Sequence, residues 1–222
     1  MLKKIIFLTL SLSALLIGHA SQAQEIRINL YGDYVFDDRF DSYYSSSSYY
    51  EGKIIGGEQW GGGIEFMVKP GYSVELLYLR QSTHVPTTYA TDLTSTSFTD
   101  FDLGLNYILL GGVRHAMSAN EKVEGFGGLM LGMVIADLKN PDTGREDSET
   151  KFSWGIRLGA IVWASESVGI KLQTQLLSAV QSAGGGLYFG TGGAGAGVST
   201  YSTIYQFCLG GGLVFKVRGG EN

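Results

Sequence analysis

Cysteine and proline are nearly missing from this chain, and each shortage excludes something. With Cys208 the single cysteine, no internal disulfide can form. Three prolines in 222 residues leave few rigid breaks. Basic residues are few: 16 Lys and Arg against 21 Asp and Glu give a formal charge of −5, without the clustered positive charge that a nucleic-acid partner requires. No apolar run reaches the roughly 20 residues of a membrane-spanning helix. Beyond the first two dozen residues no 3.6-residue apolar stripe appears either. What abounds is glycine, 33 residues recurring inside apolar segments. There each would cost a helix about 1 kcal/mol relative to alanine.

The N-terminus reads as an export signal. Met1-Leu2-Lys3-Lys4 is a basic start, Ile5 to Ile17 is apolar, and Ser21-Gln22-Ala23 offers small residues for cleavage. Residues 1–23 are therefore expected to be a secretory signal peptide, and 24–222 one domain. Loss of Lys3 and Lys4 would take the charge from −5 to about −7.

The mature region alternates with period 2 in eight segments. Ile26, Ile28, Leu30, Tyr34 and Phe36 share one parity, and Tyr205, Phe207, Leu209, Leu213, Phe215 and Val217 share another. Between them alternate Trp60–Val68, Val74–Tyr78, Phe101–Leu109, Leu129–Ile135, Phe152–Leu158 and Val168–Leu172, with Leu77 and Leu79 blurring the third segment. Short links ("KPGY", "HAMSANEK", "ASES") alternate with long ones at 37–53, 82–97, 137–150 and about 180–202. This predicts an all-β, eight-stranded antiparallel up-and-down barrel with the long loops and the termini at opposite ends.

The interior of an eight-stranded barrel admits only modest side chains. The bulky parity, which includes Phe101, Leu103, Leu105, Tyr107 and Leu109, is thus expected to face outward into lipid, with the small and polar parity inside. A closed sheet is also the β-structure that satisfies its backbone in hydrocarbon.

The chain resembles the small eight-stranded outer-membrane β-barrel family of Gram-negative bacteria, most clearly in "SWGIRLGAIVWASESVGIKLQTQLL" (153–177) and in the final strand. There Gly212, Phe215 and Val217 match the family's terminal signal, although Gly210 replaces its polar residue and "RGGEN" follows the strand. "QAQ" at the cleavage region resembles export signals of the Bacteroidetes group. The resemblance implies an outer-membrane location with periplasmic termini. It also implies lipid and lipopolysaccharide as surroundings, and the barrel-assembly machinery as folding partner.

Charges of the polar parity, Arg27, Glu65, Glu75, Arg114, Glu124, Arg157, Lys171 and Lys216, are expected to form a salt-bridged plug, since charges removed from water must be paired. Opposite strands suggest the pairs Arg27–Glu124, Glu65–Arg157 and Glu75–Lys171. A charge-lined conduction path, making the protein a narrow channel or small-solute transporter, is the alternative. Some barrels of this size modify lipid A with His and Ser or an acid, but neither His84, near Ser82, nor His115 at a turn is placed by sequence in such a site. No catalytic residue, metal site or cofactor is expected. The acids of 137–150 (Asp137, Asp142, Glu146, Asp147, Glu149) lack the spacing of a calcium loop. Tyr43, Tyr44, Tyr49 and Tyr50 flank four serines in a solvated loop and are candidates for contact with a glycan or protein. "FGTGGAGAGV" (189–198) contains G-x-G-x-x-G, but a strand pattern follows it instead of a helix. It reads as a surface-loop tip. The expected role is therefore structural or surface-interacting, without enzymatic activity.

Overall fold

The computed structural model describes residues 25–45, 48–90, 96–180, 186–190, 193–197 and 204–217. The expected signal peptide, 1–23, lies outside these residues. Twelve strands occur among them: β1 (Ile26–Val35), β2 (Asp38–Ser45), β3 (Ser48–Ile54), β4 (Gly57–Lys69), β5 (Tyr72–Ala90), β6 (Thr96–Met117), β7 (Val123–Lys139), β8 (Glu146–Trp163), β9 (Val168–Val180), β10 (Gly186–Gly190), β11 (Gly193–Gly197) and β12 (Ile204–Val217). Eight of them close a ring, in the order β1-β4-β5-β6-β7-β8-β9-β12, every neighbour antiparallel. Ile26 pairs with Val217, which puts the start of β1 and the end of β12 at the end that carries the short turns.

The wall's outward residues form an apolar belt. Ile28, Leu30, Ile64, Leu76, Leu110, Leu131, Leu158 and Leu172 are all exposed, and Tyr34, Trp60, Tyr78, Phe152, Tyr205 and Phe207 ring its long-loop edge. Trp60 to Val68 and Ile26 to Phe36 are about the 9–11 residues that a tilted strand needs to cross a bilayer. So large an unpartnered apolar surface has no stable place in water. The protein spans a membrane as a β-barrel, with aromatic residues at the boundary.

Three expectations need correction. First, Phe101, Leu103, Leu105, Tyr107 and Leu109 of β6 face inward and are fully buried. The outward parity there is Asp102, Gly104 and Asn106, followed towards the membrane by Ile108 and Leu110. The cause is length. β5 and β6, of 19 and 22 residues, run past the belt, and above Tyr78 and Ile108 their outer face meets water instead of lipid. There the hydrophobic preference reverts to that of a soluble sheet, apolar inward and polar outward.

Second, the interior holds large side chains, and glycine makes room for some of them. A Cβ on inward Gly155 would lie 2.8 Å from Leu177 Cδ2 and 2.9 Å from Met130 Cε. Phe101, the inward leucines of β5 and β6, Met130, Val134, Ala136 and Leu177 form one apolar core.

Third, the long loops are largely strand. Residues 37–53 hold the β2–β3 hairpin, in which Tyr43 pairs with Tyr49 and Ser42 with Tyr50, and β3 continues along the upper end of β5. The 137–150 segment keeps only residues 140–145 outside β7 and β8. The glycine-rich stretch contributes β11, paired with β10 from Gly186↔Gly197 to Gly190↔Gly193. A strand, not a helix N-terminus, thus occupies the place where a phosphate-binding loop would need its helix.

Candidate functional site: the charged interior of the barrel

Against the β5–β7 apolar wall, β12, β9, β1 and β4 contribute most of the inward polar side chains, among them Arg27, Asn29, Asp33, Gln59, Glu65, Lys171, Gln173, Gln175 and Gln206. They lock the short-turn half of the lumen in layers. At the bottom, Arg27 Nη1 donates to Glu124 Oε1 at 2.6 Å, and its Nε donates to Glu25 at the same distance. Trp163 Nε1 donates to the other Glu124 oxygen at 3.0 Å, and the Lys216 ammonium sits 4.0 Å over the Trp163 ring. His115 bridges two carboxylates, with Nδ1 2.6 Å from Glu124 Oε1 and Nε2 2.8 Å from Glu65 Oε1.

One layer up, Glu75 accepts hydrogen bonds from Asn29 at 2.7 Å, from the Tyr31 hydroxyl at 2.5 Å and from the Arg157 guanidinium. Asn29 also donates to Glu65 at 3.0 Å. Lys171 Nζ donates to Tyr31 Oη at 3.1 Å and lies 4.8 Å from the Phe126 ring centre. A Cβ on Gly63 would stand 2.3 Å from Glu75 Oε1, so only glycine leaves that carboxylate its place. Above these, Asp33 accepts from Gln173 and Gln175 at 3.1 Å each, and Gln175 donates to Gln59. Gln206 donates to Gln81 and accepts from Tyr107 at 2.7 Å, a separate buried polar set against the apolar wall.

Of the eight charges expected in the lumen, the structure brings Arg27, Glu65, Glu75, Glu124, Arg157 and Lys171 into this buried cluster. Lys216 stands half-buried at its mouth. Arg114 does not belong. It shares parity with the lipid-facing residues Leu110 and Gly112 and lies against the outside of Tyr72. Partner choice also differs: Arg157 takes Glu75, not Glu65, and Lys171 reaches Asn29 and Tyr31 directly. Sequence reasoning placed His115 at a turn and gave it no partner, whereas it is buried between two glutamates. Its inward parity with Val113 and Gly111 on β6 was the available signal. The side chains of Tyr43, Tyr44, Tyr49 and Tyr50 lie outside the described residues.

Ser73 Oγ lies 2.9 Å from His115 Nε2, and Glu124 faces Nδ1, the outline of an acyl-transfer triad. The outline lacks the working parts. A base for Ser73 needs a free lone pair at Nε2, but that nitrogen also faces Glu65 Oε1, and the Ser73 hydroxyl donates to the same oxygen. All four side chains are buried, leaving no space for an acyl substrate. On the outer wall, His84 is exposed and pairs with Asp102 at 3.1 Å.

Among the described residues no three His, Cys, Asp or Glu side chains converge as a metal-binding group. The acids of the 137–150 region have individual partners: Asp137 accepts from Asn106 and Ser148, Asp142 from Thr99, and Glu146 pairs with Lys139 at 2.8 Å.

The chain matches no protein-family model and no curated protein. Its fold has solved counterparts. The outer membrane protein OprG of Pseudomonas aeruginosa superposes with a TM-score of 0.56 at 12% identity, over 89% of this chain and 98% of that one. Neisserial surface protein A gives 0.52 at 12% identity, over 86% and 97%. The chain has the fold of the eight-stranded outer-membrane barrels.

Proposed function

We propose that the protein resides in the outer membrane of a Gram-negative cell, termini towards the periplasm, as a closed barrel with a structural or surface-interaction role. One observation carries the reading. Three buried polar groups are stacked up the lumen: Arg27–Glu124 with Glu75–Arg157, then Asp33–Gln173, then Gln206–Tyr107. Such a stack is a plug. Every charge in it has an opposite charge or several dipoles at contact distance, so opening a water path would cost those bonds. Function then falls to the surfaces, above all the long-loop end, where β5–β8 and the β2–β3 hairpin stand clear of the apolar belt. The two counterparts, a surface protein and an outer membrane protein, are compatible with this reading.

Single-channel recording of the full chain in planar bilayers tests the proposal. Baseline current broken only by rare brief events is expected. A steady large conductance would make it a channel instead.

A further inference from the structure

On the lipid-facing wall at the short-turn end, β5, β6 and β7 enclose a groove of about 850 Å³. Its floor is Gly112, where an added Cβ would meet nothing within 4 Å, and its walls include Val74, Leu110, Leu129 and Leu131. Glycine at this outward position leaves a furrow in a wall otherwise covered by large aliphatic residues. At the groove's foot stand two cations against one aromatic ring. Arg114 Cζ is 4.2 Å and Lys69 Nζ 4.3 Å from the centre of the Tyr72 ring.

The contrast with the rest of the molecule is informative. Arg27, Arg157, Lys53 and Lys139 each meet a carboxylate. Among the described residues, no carboxylate lies within ion-pair distance of Lys69 or Arg114. Two cations that reach Tyr72 from the strands on either side of β5, at the rim of an apolar furrow, make a local excess of positive charge that an anion beside them would neutralise. The groove is apolar along its length and positive at one end, and it opens sideways into the bilayer.

We propose that it binds one phospholipid of the leaflet at the short-turn end, with an acyl chain along Gly112 and the phosphate at the edge of Tyr72, facing the cationic heads of Lys69 and Arg114. The inference rests on the membrane-spanning reading and adds a specific ligand site to it. Both residues contribute: the guanidinium presents a fork of N–H donors to phosphate oxygens, and the ammonium adds a point charge. Tyr72 holds both heads in place by cation–π contact. Leu129 and Leu131 supply one flank and Val74 the other, so the chain lies in a channel instead of sliding across a smooth wall.

The test uses the full chain folded in detergent, with phosphatidylglycerol added and, separately, lipid A, read by native mass spectrometry. Wild type is expected to retain one phosphatidylglycerol. The Lys69→Ala/Arg114→Ala variant should lose roughly tenfold or more in retention, the scale of two interfacial cations. Gly112→Leu, which fills the furrow and points into open space, should also lose retention while remaining folded. Folding of each protein is checked by its heat-modifiable migration. A heat-shifted wild type that retains no phosphatidylglycerol, or variants that retain it like wild type, would overturn the site alone. Retention of lipid A in its place, abolished by the same substitutions, would overturn the assignment to phospholipid. A wild type without a heat-shifted form would overturn the membrane barrel and the site with it.

Discussion

Arg27 of β1 and Glu124 of β7, 97 residues apart in the chain, join at 2.6 Å across the inside of the barrel, both nearly inaccessible to solvent. β1 and β7 are diametrically opposite in the ring, so this contact braces the cylinder across its width. Removing either partner strips a buried charge of its shortest cross-barrel contact, leaving Arg27 with Glu25 alone, or Glu124 with His115 and Trp163. Arg27→Ala is expected to cost about 3–5 kcal/mol, and Arg27→Met combined with Glu124→Met to recover part of it. Urea unfolding of the detergent-folded barrel measures both. Equal stability of the single variant and wild type would mean that the pair contributes nothing.

Inward glycines set how much the interior can hold. Gly155→Leu would drive a side chain into Leu177 and Met130, and overpacking of this kind costs about 1–3 kcal/mol. Gly63→Leu should be worse than a neutral overpacking, because the displaced group is the Glu75 carboxylate with its bonds to Asn29, Tyr31 and Arg157. Unfolding midpoints of the two variants, compared with outward Gly112→Leu, test the difference. A Gly112→Leu barrel as unstable as the other two would count against an open furrow at that position.

The upper edge of the belt is drawn between Tyr78 and Arg80 on β5. Leu76→Arg, inside the belt, should destabilise the inserted barrel by roughly 2–4 kcal/mol, whereas Ser82→Arg, above it, should cost roughly 0–1 kcal/mol. Folding titrations into lipid vesicles report both. Similar costs at the two positions would place the membrane boundary elsewhere.

The hairpin above the belt should respond to acid through Asp37. Its carboxylate is paired with Lys53 and accepts the Gly56 N–H at 2.6 Å, and these contacts hold it below the usual carboxylate range. A carboxyl lowered in the folded state contributes its stabilisation above its unfolded pKa, near 3.9, and loses it as pH falls through the folded value. Amide exchange of the β2–β3 hairpin should therefore quicken only in strong acid. Asp37→Asn should flatten that dependence, and an unchanged acid profile in the variant would rule Asp37 out as its source.

Legibility in the sequence followed the surroundings of each strand. β1 and β12 alternate cleanly because lipid covers one face and a polar lumen the other, so parity alone assigns Tyr34 outward and Asp33 inward. On β6 "NYILL" is apolar on both faces, and period 2 cannot say which face is wet. Asp102 and Asn106 looked like lumen residues because polarity was equated with the inside. That holds only at the height of the membrane. His115 was missed for a related reason: a residue seven positions from Ile108, at a strand end near a turn, gives no sign of two glutamates arriving from β4 and β7.

The amino-acid order alone determined the class of structure here. Period-2 alternation across eight segments, glycine in place of helix formers, and alternating short and long links leave an up-and-down β-barrel as the consistent arrangement, because each is a local property of strand and turn. Which side of β6 is the inside, which carboxylate Arg157 meets, and that Arg114 stands outside against Tyr72 were decided by tertiary structure. Those facts depend on where the bilayer ends along each strand and on which side chains a closed ring brings face to face, and neither is a property of any local stretch of chain.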